Sequence, residues 1–253
     1  MNRILTLPQL YPIIDFSCLA AESDPVWAVV RYAEELIAAG ATLIQLRDKS
    51  QPEQPRRFLS CARELRRVAL GKATLIINDR VDICLAADVD GVHLGQEDLS
   101  SVAARRIFDS VKSHPISQSQ EETLLLRERM GHPDKALEQI KVLEQVEDRK
   151  TRMIGFSTHN LAQVHEADQL PIDYIAFGPV FATGSKMNPD PVVGLEGVRQ
   201  ARQATRKPLV AIGGITRENC RQVRDAGADS VAVISDLLES PAKAVAAFLA
   251  ILG

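Results

Sequence analysis

An eightfold alternation of short apolar runs with amphipathic stretches constrains the fold more than any other feature of the sequence. Each run is nearly continuous in apolar residues, as expected of strands that are buried on both faces of a parallel sheet. Eight such strands alternating with helices predict a closed (β/α)8 TIM barrel, and an open doubly wound sheet is the alternative. The predicted strands cover residues 10–15, 42–49, 74–79, 91–96, 152–158, 174–180, 209–215 and 230–235.

The length of 253 residues is that of one such barrel, so we expect a single domain over residues 1–253. Residues 105–151, between strands four and five, are predicted to be helical. Their signals are a capping box at Ser119 and Glu122 and a proline, Pro133, suited to a helix start. The helix that follows strand four is predicted at 102–109, and the alternative is 134–146.

Charge and cysteine content exclude several kinds of partner. The formal net charge is −3, which provides no general attraction to nucleic acid or to an acidic membrane. No apolar run approaches the roughly 20 residues of a membrane span. The four cysteines are widely spaced, as is typical of reduced thiols in a cytoplasmic protein. We therefore expect small-molecule substrates, no nucleic-acid or membrane partner, and possible self-association.

Polar residues lie at the ends of the predicted strands, where TIM barrels carry their chemistry. Strand alternation puts Gln45, Arg47 and Lys49 on one face of strand two and apolar residues on the other. With the apolar face turned to the helices, two cations and an amide point into the barrel mouth. That combination suits a diphosphate, and a solvated strand end is the alternative.

Two carboxylates follow the next strands. Asp79 ends strand three and Asp98 follows strand four, so the two could meet across neighbouring strand ends. Paired carboxylates facing a phosphate-binding group suit Mg²⁺, although each could instead cap a helix or pair with an arginine. His93, within strand four, is predicted to be a hydrogen-bonded barrel residue rather than a metal ligand.

The later strand ends offer hydroxyl groups and glycines. Ser157 and Thr158 are placed to cap the helix after strand five, where free N–H groups also attract anions. The loop after strand six is rich in hydroxyls and carries one cation, Lys186. Gly214 at the end of strand seven and Ser235 at the end of strand eight predict a phosphate site at the position usual for this barrel.

Taken in order, these strand ends closely resemble the motifs of the thiamine phosphate synthase family. Seven motifs in the family's order are far more specific than any one of them, and they cover nearly the whole chain outside residues 105–151. They read QLRDK (45–49), IND (77–79), GVHLGQEDL (91–99), GFSTHN (155–160), GPVFATGSK (178–186), AIGGI (211–215) and VAVIS (231–235).

The resemblance implies a role for each matching position. Asp79 and Asp98 would bind Mg²⁺, while Arg47, Lys49 and Lys186 would assist the departure of diphosphate. The pyrimidine diphosphate would contact Gln45, Leu46, Arg47, Asp48, Lys49, Asn78, Ser157 and Lys186. The thiazole phosphate would contact Thr183, Gly184, Ser185, Gly214, Ile234 and Ser235.

The activity implied by the resemblance is a transferase reaction of thiamine biosynthesis. 4-Amino-2-methyl-5-(diphosphooxymethyl)pyrimidine and a (carboxy)thiazole phosphate would give thiamine phosphate and diphosphate. Two alternatives are a thiazole tautomerase-like isomerase and a non-catalytic phosphate-binding barrel. The main departure from the family pattern is a helical insertion at 105–151, between strands four and five. Another is Asp236, which places a negative charge beside the predicted phosphate site.

Overall fold

The chain forms a closed barrel of eight parallel strands, in which each strand pairs with its neighbours in sequence and β8 pairs with β1. This confirms the predicted (β/α)8 fold. The computed structural model describes residues 6–19, 24–49, 54–113, 151–183 and 190–253. The strands are β1 (Leu10–Asp15), β2 (Leu43–Arg47), β3 (Thr74–Asn78), β4 (Gly91–Leu94), β5 (Met153–Thr158), β6 (Tyr174–Phe177), β7 (Leu209–Ile212) and β8 (Ser230–Val233).

A helix follows each strand. Prolines open several of these helices, where the missing N–H is not needed, and glycines with positive φ, such as Gly40 (φ 106) and Gly227 (φ 109), follow the ends of two of them. The helices are α1 (Pro25–Ala38), α2 (Pro55–Ala69), α3 (Val81–Ala86), α4 (Ser101–Ser113), α5 (Leu161–Asp168), α6 (Gly194–Ala204), α7 (Cys220–Asp225) and α8 (Pro241–Leu252).

The chain divides into two compact units. One consists of Met1–Ala104 with Arg152–Gly253, and the other of Arg105–Thr151. Helix α4 follows β4 at the position predicted for 102–109, in preference to the alternative at 134–146. The capping box at Ser119 and Glu122 and the predicted helices at 123–130 and 134–146 lie outside the described residues.

Most strands end one to three residues before the predicted boundary. The chain leaves the ladder at these points because its backbone turns: Asp79, directly after β3, has φ 62, and Gly213, directly after β7, has φ 101. Asp tolerates this left-handed region better than most residues, and glycine adopts it freely. The residues just beyond these strand ends form the edge of the barrel at which the predicted polar site residues lie.

Apolar side chains fill the barrel interior together with two tyrosines. Tyr11 of β1 and Tyr174 of β6 are almost completely buried there, and their rings meet edge to face with centroids 6.0 Å apart. Such rings contribute large buried areas but need partners for their hydroxyl groups. The surrounding core consists of Leu7, Ile13, Leu43, Ile76, Ala176, Val210 and Ala232.

At the opposite end of the barrel, one contact recurs three times. An aspartate directly before an even-numbered strand accepts a hydrogen bond from the backbone N–H at or near the start of the preceding odd-numbered strand. This satisfies a buried donor and fixes the register of the two strands. The contacts join Asp90 to Leu75 at 2.9 Å, Asp173 to Ile154 at 2.7 Å and Asp229 to Leu209 at 2.8 Å.

The cysteines are all free thiols. Burial raises the pKa of Cys61 and of Cys84 to about 12, so neither forms a reactive thiolate near neutral pH. Among the residues that the structure describes, no helix combines the length and apolar character needed to cross a membrane.

Candidate active site

Charged and amide side chains converge where β2 and β3 end. Lys49, Asn78 and Asp79 border a cavity of about 250 Å³, which also reaches Asp48 and Arg80. The first turn of α2 closes one side of this cavity with Gln54, Pro55 and Phe58. The end of the barrel at β2 and β3, which the sequence predicts to be polar, is therefore a concave polar site.

Arg47 stands at the end of β2 with most of its side chain buried. Its Nε atom lies 3.5 Å from a carboxylate oxygen of Asp15 at the end of β1, which is an ion-pair distance but a poor hydrogen bond. Within the described part of the chain, Arg47 Nε and the buried amide nitrogen of Asn78 have no hydrogen-bond partner. Buried donors are rarely left unpaired, so these two atoms are suited to contact an anionic ligand.

Asp79 and Asp98 come together as the sequence predicts. Burial raises the pKa of Asp79, and the neighbouring Asp98 carboxyl adds to that rise, whereas the hydrogen bond from Lys49 opposes it. The Lys49 ammonium lies 2.8 Å from Asp79, and the backbone N–H of Gly95 donates to Asp98 at 2.7 Å. Two adjoining carboxylates at a partly buried position favour binding of a cation.

The donor set fits a hard divalent ion that retains other ligands. Among the described residues no group of three or more His, Cys, Asp or Glu side chains could hold a metal. Mg²⁺ is commonly bound by one or two carboxylates, with water and substrate phosphates as its remaining ligands. Asp79 and Asp98, beside the unpaired donors of Arg47 and Asn78, match that arrangement.

Two residues of the QLRDK motif have side chains that are occupied by contacts within the protein. Leu46 is completely buried on β2, and the carboxylate of Asp48 lies 2.8 Å from Arg57 of α2. This follows from strand alternation, which sends Gln45 and Arg47 to the opposite face. The resemblance implies substrate contacts for Leu46 and Asp48, and such contacts would have to come from their main-chain atoms.

The predicted capping role of Ser157 and Thr158 is wrong. Asn160 caps α5, because its side chain accepts a hydrogen bond from the backbone N–H of Gln163 at 3.0 Å. Thr158 instead donates to the carbonyl of Ala176 on β6, and both residues still belong to β5. Ser157 is thereby available to the mouth rather than tied to a helix end.

A hydrogen-bonded chain of side chains crosses the barrel interior. Gln45 donates to the Tyr11 hydroxyl, which contacts the Tyr174 hydroxyl, both at 2.9 Å. The Tyr174 hydroxyl lies 3.0 Å from His93 Nδ1, and His93 Nε2 lies 2.8 Å from the Ser157 hydroxyl. The prediction that His93 is a hydrogen-bonded barrel residue is confirmed, but its partner Tyr174 was not predicted.

The loops after β6 and β7 lie against one another. Val180 N–H donates to the Ile212 carbonyl at 2.9 Å, and Phe181 N–H to the Gly213 carbonyl at 3.0 Å. A Cβ at Gly214, which has φ 63, would lie 2.5 Å from the Ala182 carbonyl oxygen. This close approach places Thr183, the next residue after Ala182, near Gly214, as the predicted phosphate site requires.

The remaining residues of this predicted subsite are only partly described. Ile234 packs against the interior core, and the exposed Ser235 begins a 3-10 turn over Ser235–Leu237. Gly184, Ser185 and Lys186 lie outside the described residues.

The charge of Asp236 beside this subsite is compensated. Its carboxylate lies 3.0 Å from Arg217 Nε and also accepts a hydrogen bond from the Arg217 backbone N–H at 2.8 Å. An ion pair leaves little net negative charge, so Asp236 is compatible with a phosphate nearby.

A Gly214→Ala variant should lose more stability than a Gly71→Ala variant. Both glycines have positive φ, but a Cβ at Gly71 meets nothing within 4 Å. Gly71→Ala therefore measures the backbone cost alone, about 1 kcal/mol. Gly214→Ala adds the clash with Ala182, for which we expect about 2 kcal/mol more. Urea unfolding of the two variants tests this, and equal losses would show that the two loops are not in close contact.

Comparisons with known proteins show the family of this chain. The family described as thiamine monophosphate synthase matches residues 18–137 and 137–237, with the join inside the predicted insertion. The thiamine-phosphate synthase of Koribacter versatilis is 44% identical over 98% of this chain and 97% of its own. That of Clostridium novyi is 33% identical over 92% and 91%. The solved thiamine phosphate pyrophosphorylase of Pyrococcus furiosus is 30% identical, with a TM-score of 0.70 over 96% of this chain and 95% of its own. The chain belongs to the thiamine monophosphate synthase family.

Proposed function

We propose that this protein is a thiamine phosphate synthase. It condenses 4-amino-2-methyl-5-(diphosphooxymethyl)pyrimidine with a (carboxy)thiazole phosphate and releases diphosphate. If the thiazole carries the carboxylate, that group leaves as carbon dioxide. The observation that carries the proposal is the grouping of Arg47, Lys49 and Asn78 with two adjoining carboxylates at one mouth, in a member of this family.

The chemistry is an alkyl transfer. The bond between the pyrimidine methylene carbon and the diphosphate oxygen breaks, and the electron-rich aminopyrimidine stabilises the resulting cation. The thiazole nitrogen supplies the electron pair for the new carbon–nitrogen bond. Because the leaving group accumulates negative charge, fixed donors and cations around it are the main catalytic requirement. No protein nucleophile is needed.

Arg47, Lys49 and Asn78 are the described residues suited to hold the leaving group. The guanidinium of Arg47 is kept at the mouth by Asp15, and the amide of Asn78 has a buried N–H₂ group with no partner among the described residues. Donors held in place before the reaction stabilise developing charge without reorganisation. Lys186, outside the described residues, is proposed to add a third cation.

We propose that Asp79 and Asp98 bind Mg²⁺. When bound, the ion would neutralise charge on the diphosphate and improve it as a leaving group. Lys49, 2.8 Å from Asp79, links this pair of carboxylates to the cationic side of the mouth. The thiazole phosphate is assigned to the backbone of Gly214 and to Thr183, Gly184, Ser185, Ile234 and Ser235.

Two other functions are less well supported. A thiazole tautomerase would not need the full set of proposed diphosphate ligands, and Asp79, Asp98 and Lys186 together argue against it. A non-catalytic phosphate-binding barrel would not need two adjoining carboxylates beside Arg47 and Lys49.

One assay separates the three functions. The purified protein is mixed with both substrates and Mg²⁺, and thiamine phosphate and diphosphate are quantified together. Equal amounts of the two products support the synthase. Isomerisation of the thiazole without release of diphosphate would support the tautomerase, and substrate binding without either reaction would support the binding barrel.

We also propose that the insertion is dispensable for catalysis. Helix α4 already completes the β4–α4 unit at Ser113. Replacing residues 114–149 with a short Gly/Ser linker should therefore leave turnover and both Michaelis constants within about twofold of those of the full chain. The barrel should still fold, since the entropic cost of closing a loop changes slowly with loop length. The same replacement of residues 184–189, which include Lys186, should abolish turnover. If the first variant melts cooperatively but binds either substrate much more weakly, the insertion contributes to the site.

A further inference from the structure

The hydrogen-bonded chain Gln45–Tyr11–Tyr174–His93–Ser157 has a defined direction. Gln45 donates its amide hydrogen to the Tyr11 oxygen. The Tyr11 hydroxyl is enclosed by apolar side chains of the core, and besides Gln45 its only hydrogen-bond neighbour in the described structure is the Tyr174 hydroxyl. A buried hydroxyl hydrogen without an acceptor is costly, so Tyr11 donates to Tyr174.

The same reasoning extends the direction to His93. Once the Tyr174 oxygen accepts from Tyr11, the hydrogen of Tyr174 needs an acceptor of its own, and His93 Nδ1 is 3.0 Å away. An Nδ1 that accepts a hydrogen bond bears no hydrogen of its own, so the imidazole is neutral and has one N–H. With Nδ1 accepting, that hydrogen is on Nε2, which donates to the Ser157 hydroxyl oxygen at 2.8 Å.

The series of donated hydrogen bonds ends at Ser157, at the mouth of the barrel. Because Ser157 accepts from His93, its own hydrogen must be donated elsewhere, and His93 is the one partner of its hydroxyl among the described residues. Ser157 is partly exposed at the end of β5, and its carbonyl is held by Gln96 at 2.5 Å. Its hydroxyl hydrogen is therefore free to be donated to a ligand.

We propose that this buried chain fixes Ser157 as a hydrogen-bond donor to an acceptor atom of the bound pyrimidine diphosphate, with His93 and Tyr174 as positioning residues. The proposal rests on the proposed function. An acceptor here means a diphosphate oxygen or a ring nitrogen, and the exocyclic amine, as a donor, is excluded as the partner of Ser157. Neither His93 nor Tyr174 needs to touch the substrate.

Gly155 gives independent support for the central link. A Cβ at this position of β5 would lie 2.0 Å from Tyr174 Cζ and 2.5 Å from His93 Nδ1. The two rings also stack with centroids 5.6 Å apart and an interplanar angle of 25°. The contact between Tyr174 and His93 thus depends on a glycine in the middle of a strand, where glycine is otherwise unfavourable.

The first test is the tautomer of His93 in the protein without substrate. The chain has five histidines, so ¹⁵N-histidine labelling gives few signals, and the His93→Gln variant identifies the one that belongs to His93. The expected result is a neutral imidazole with its hydrogen on Nε2. A hydrogen on Nδ1 would reverse the direction and overturn the proposal.

The second test compares two matched variants. Tyr174→Phe and Tyr11→Phe each remove one buried hydroxyl from the chain, but only Tyr174→Phe removes the donor to His93. We expect Tyr174→Phe to raise the Michaelis constant for the pyrimidine diphosphate about fivefold, with turnover less affected. Tyr11→Phe should change this Michaelis constant less than about twofold, although its loss of thermal stability should be similar to that of Tyr174→Phe. Equal kinetic effects of the two variants would overturn the proposal.

A double variant shows whether the effect passes through Ser157. Ser157→Ala alone should raise the Michaelis constant about tenfold or more, as the loss of a hydrogen bond to a charged group does. Adding Tyr174→Phe to Ser157→Ala should then change nothing further, whereas an undiminished fivefold effect would refute the proposal. The tautomer measurement needs no substrate, so it remains informative if the synthase assay fails.

Discussion

An Asp98→Asn variant should turn over at least about a hundredfold more slowly than the unmodified protein, with its fold intact. Asp98 and Asp79 adjoin at the mouth, and the amide removes one of the two negative charges offered to a cation. The Asn oxygen can still accept the hydrogen bond from Gly95, so the loop after β4 should keep its conformation.

The comparison for this variant is Glu97→Gln. It removes a carboxylate from the adjacent exposed position and should leave turnover unchanged. Turnover and melting temperature are measured across a Mg²⁺ titration, with and without diphosphate, because an ion that binds only the folded state raises the melting temperature. Near-normal turnover of Asp98→Asn at saturating Mg²⁺ would exclude this carboxylate as a metal ligand.

Arg47→Met should lose both activity and stability, for different reasons. Removing the guanidinium removes a positive charge that would stabilise the departing diphosphate, which should slow turnover about a hundredfold or more. It also leaves the buried Asp15 carboxylate without its counter-charge, although Ser17 still donates to it. Breaking a largely buried ion pair by removing one partner should cost about 3 kcal/mol of unfolding free energy.

A second substitution separates the two effects. In the Asp15→Asn, Arg47→Met double variant no charge is left unpaired, so most of the stability should return while turnover stays low. Urea unfolding and single-turnover kinetics on the single and double variants provide the comparison. Recovery of turnover in the double variant would mean that Arg47 acts by maintaining the fold, and not on the diphosphate.

Strand number, order and barrel closure could be predicted because they depend on apolar periodicity and on the alternation of strands with helices. The ends of the strands could not. The predicted strands include Asp79 and Gly213, but the positive φ of these two residues takes them out of the ladder. Apolar character indicates burial, whereas the end of a strand depends on backbone conformation.

Within the site, predictions held where a single strand determined the geometry. Alternation along β2 correctly separated Gln45 and Arg47 from Leu46. Ser157 and Thr158 were wrongly predicted as helix caps, because a local hydroxyl pattern does not reveal that Thr158 finds a partner on β6.

Contacts between distant residues gave no sequence signal. Tyr11 and Tyr174 are 163 positions apart, and neither lies in any of the seven motifs. The compensation of Asp236 by Arg217 was also missed, since it depends on how the loops after β7 and β8 approach each other. Such pairs are fixed by the closed barrel and not by local spacing.

The three aspartate contacts at the other end of the barrel join six of its strands into three two-stranded modules. Each contact joins an odd-numbered strand to the even-numbered strand that follows: β3 to β4, β5 to β6, and β7 to β8. A boundary drawn between β4 and β5 therefore cuts through none of the three modules. The predicted insertion at 105–151 lies in the connection across that boundary, so a long added segment there would separate β4 from β5 in sequence and leave all three aspartate contacts in place.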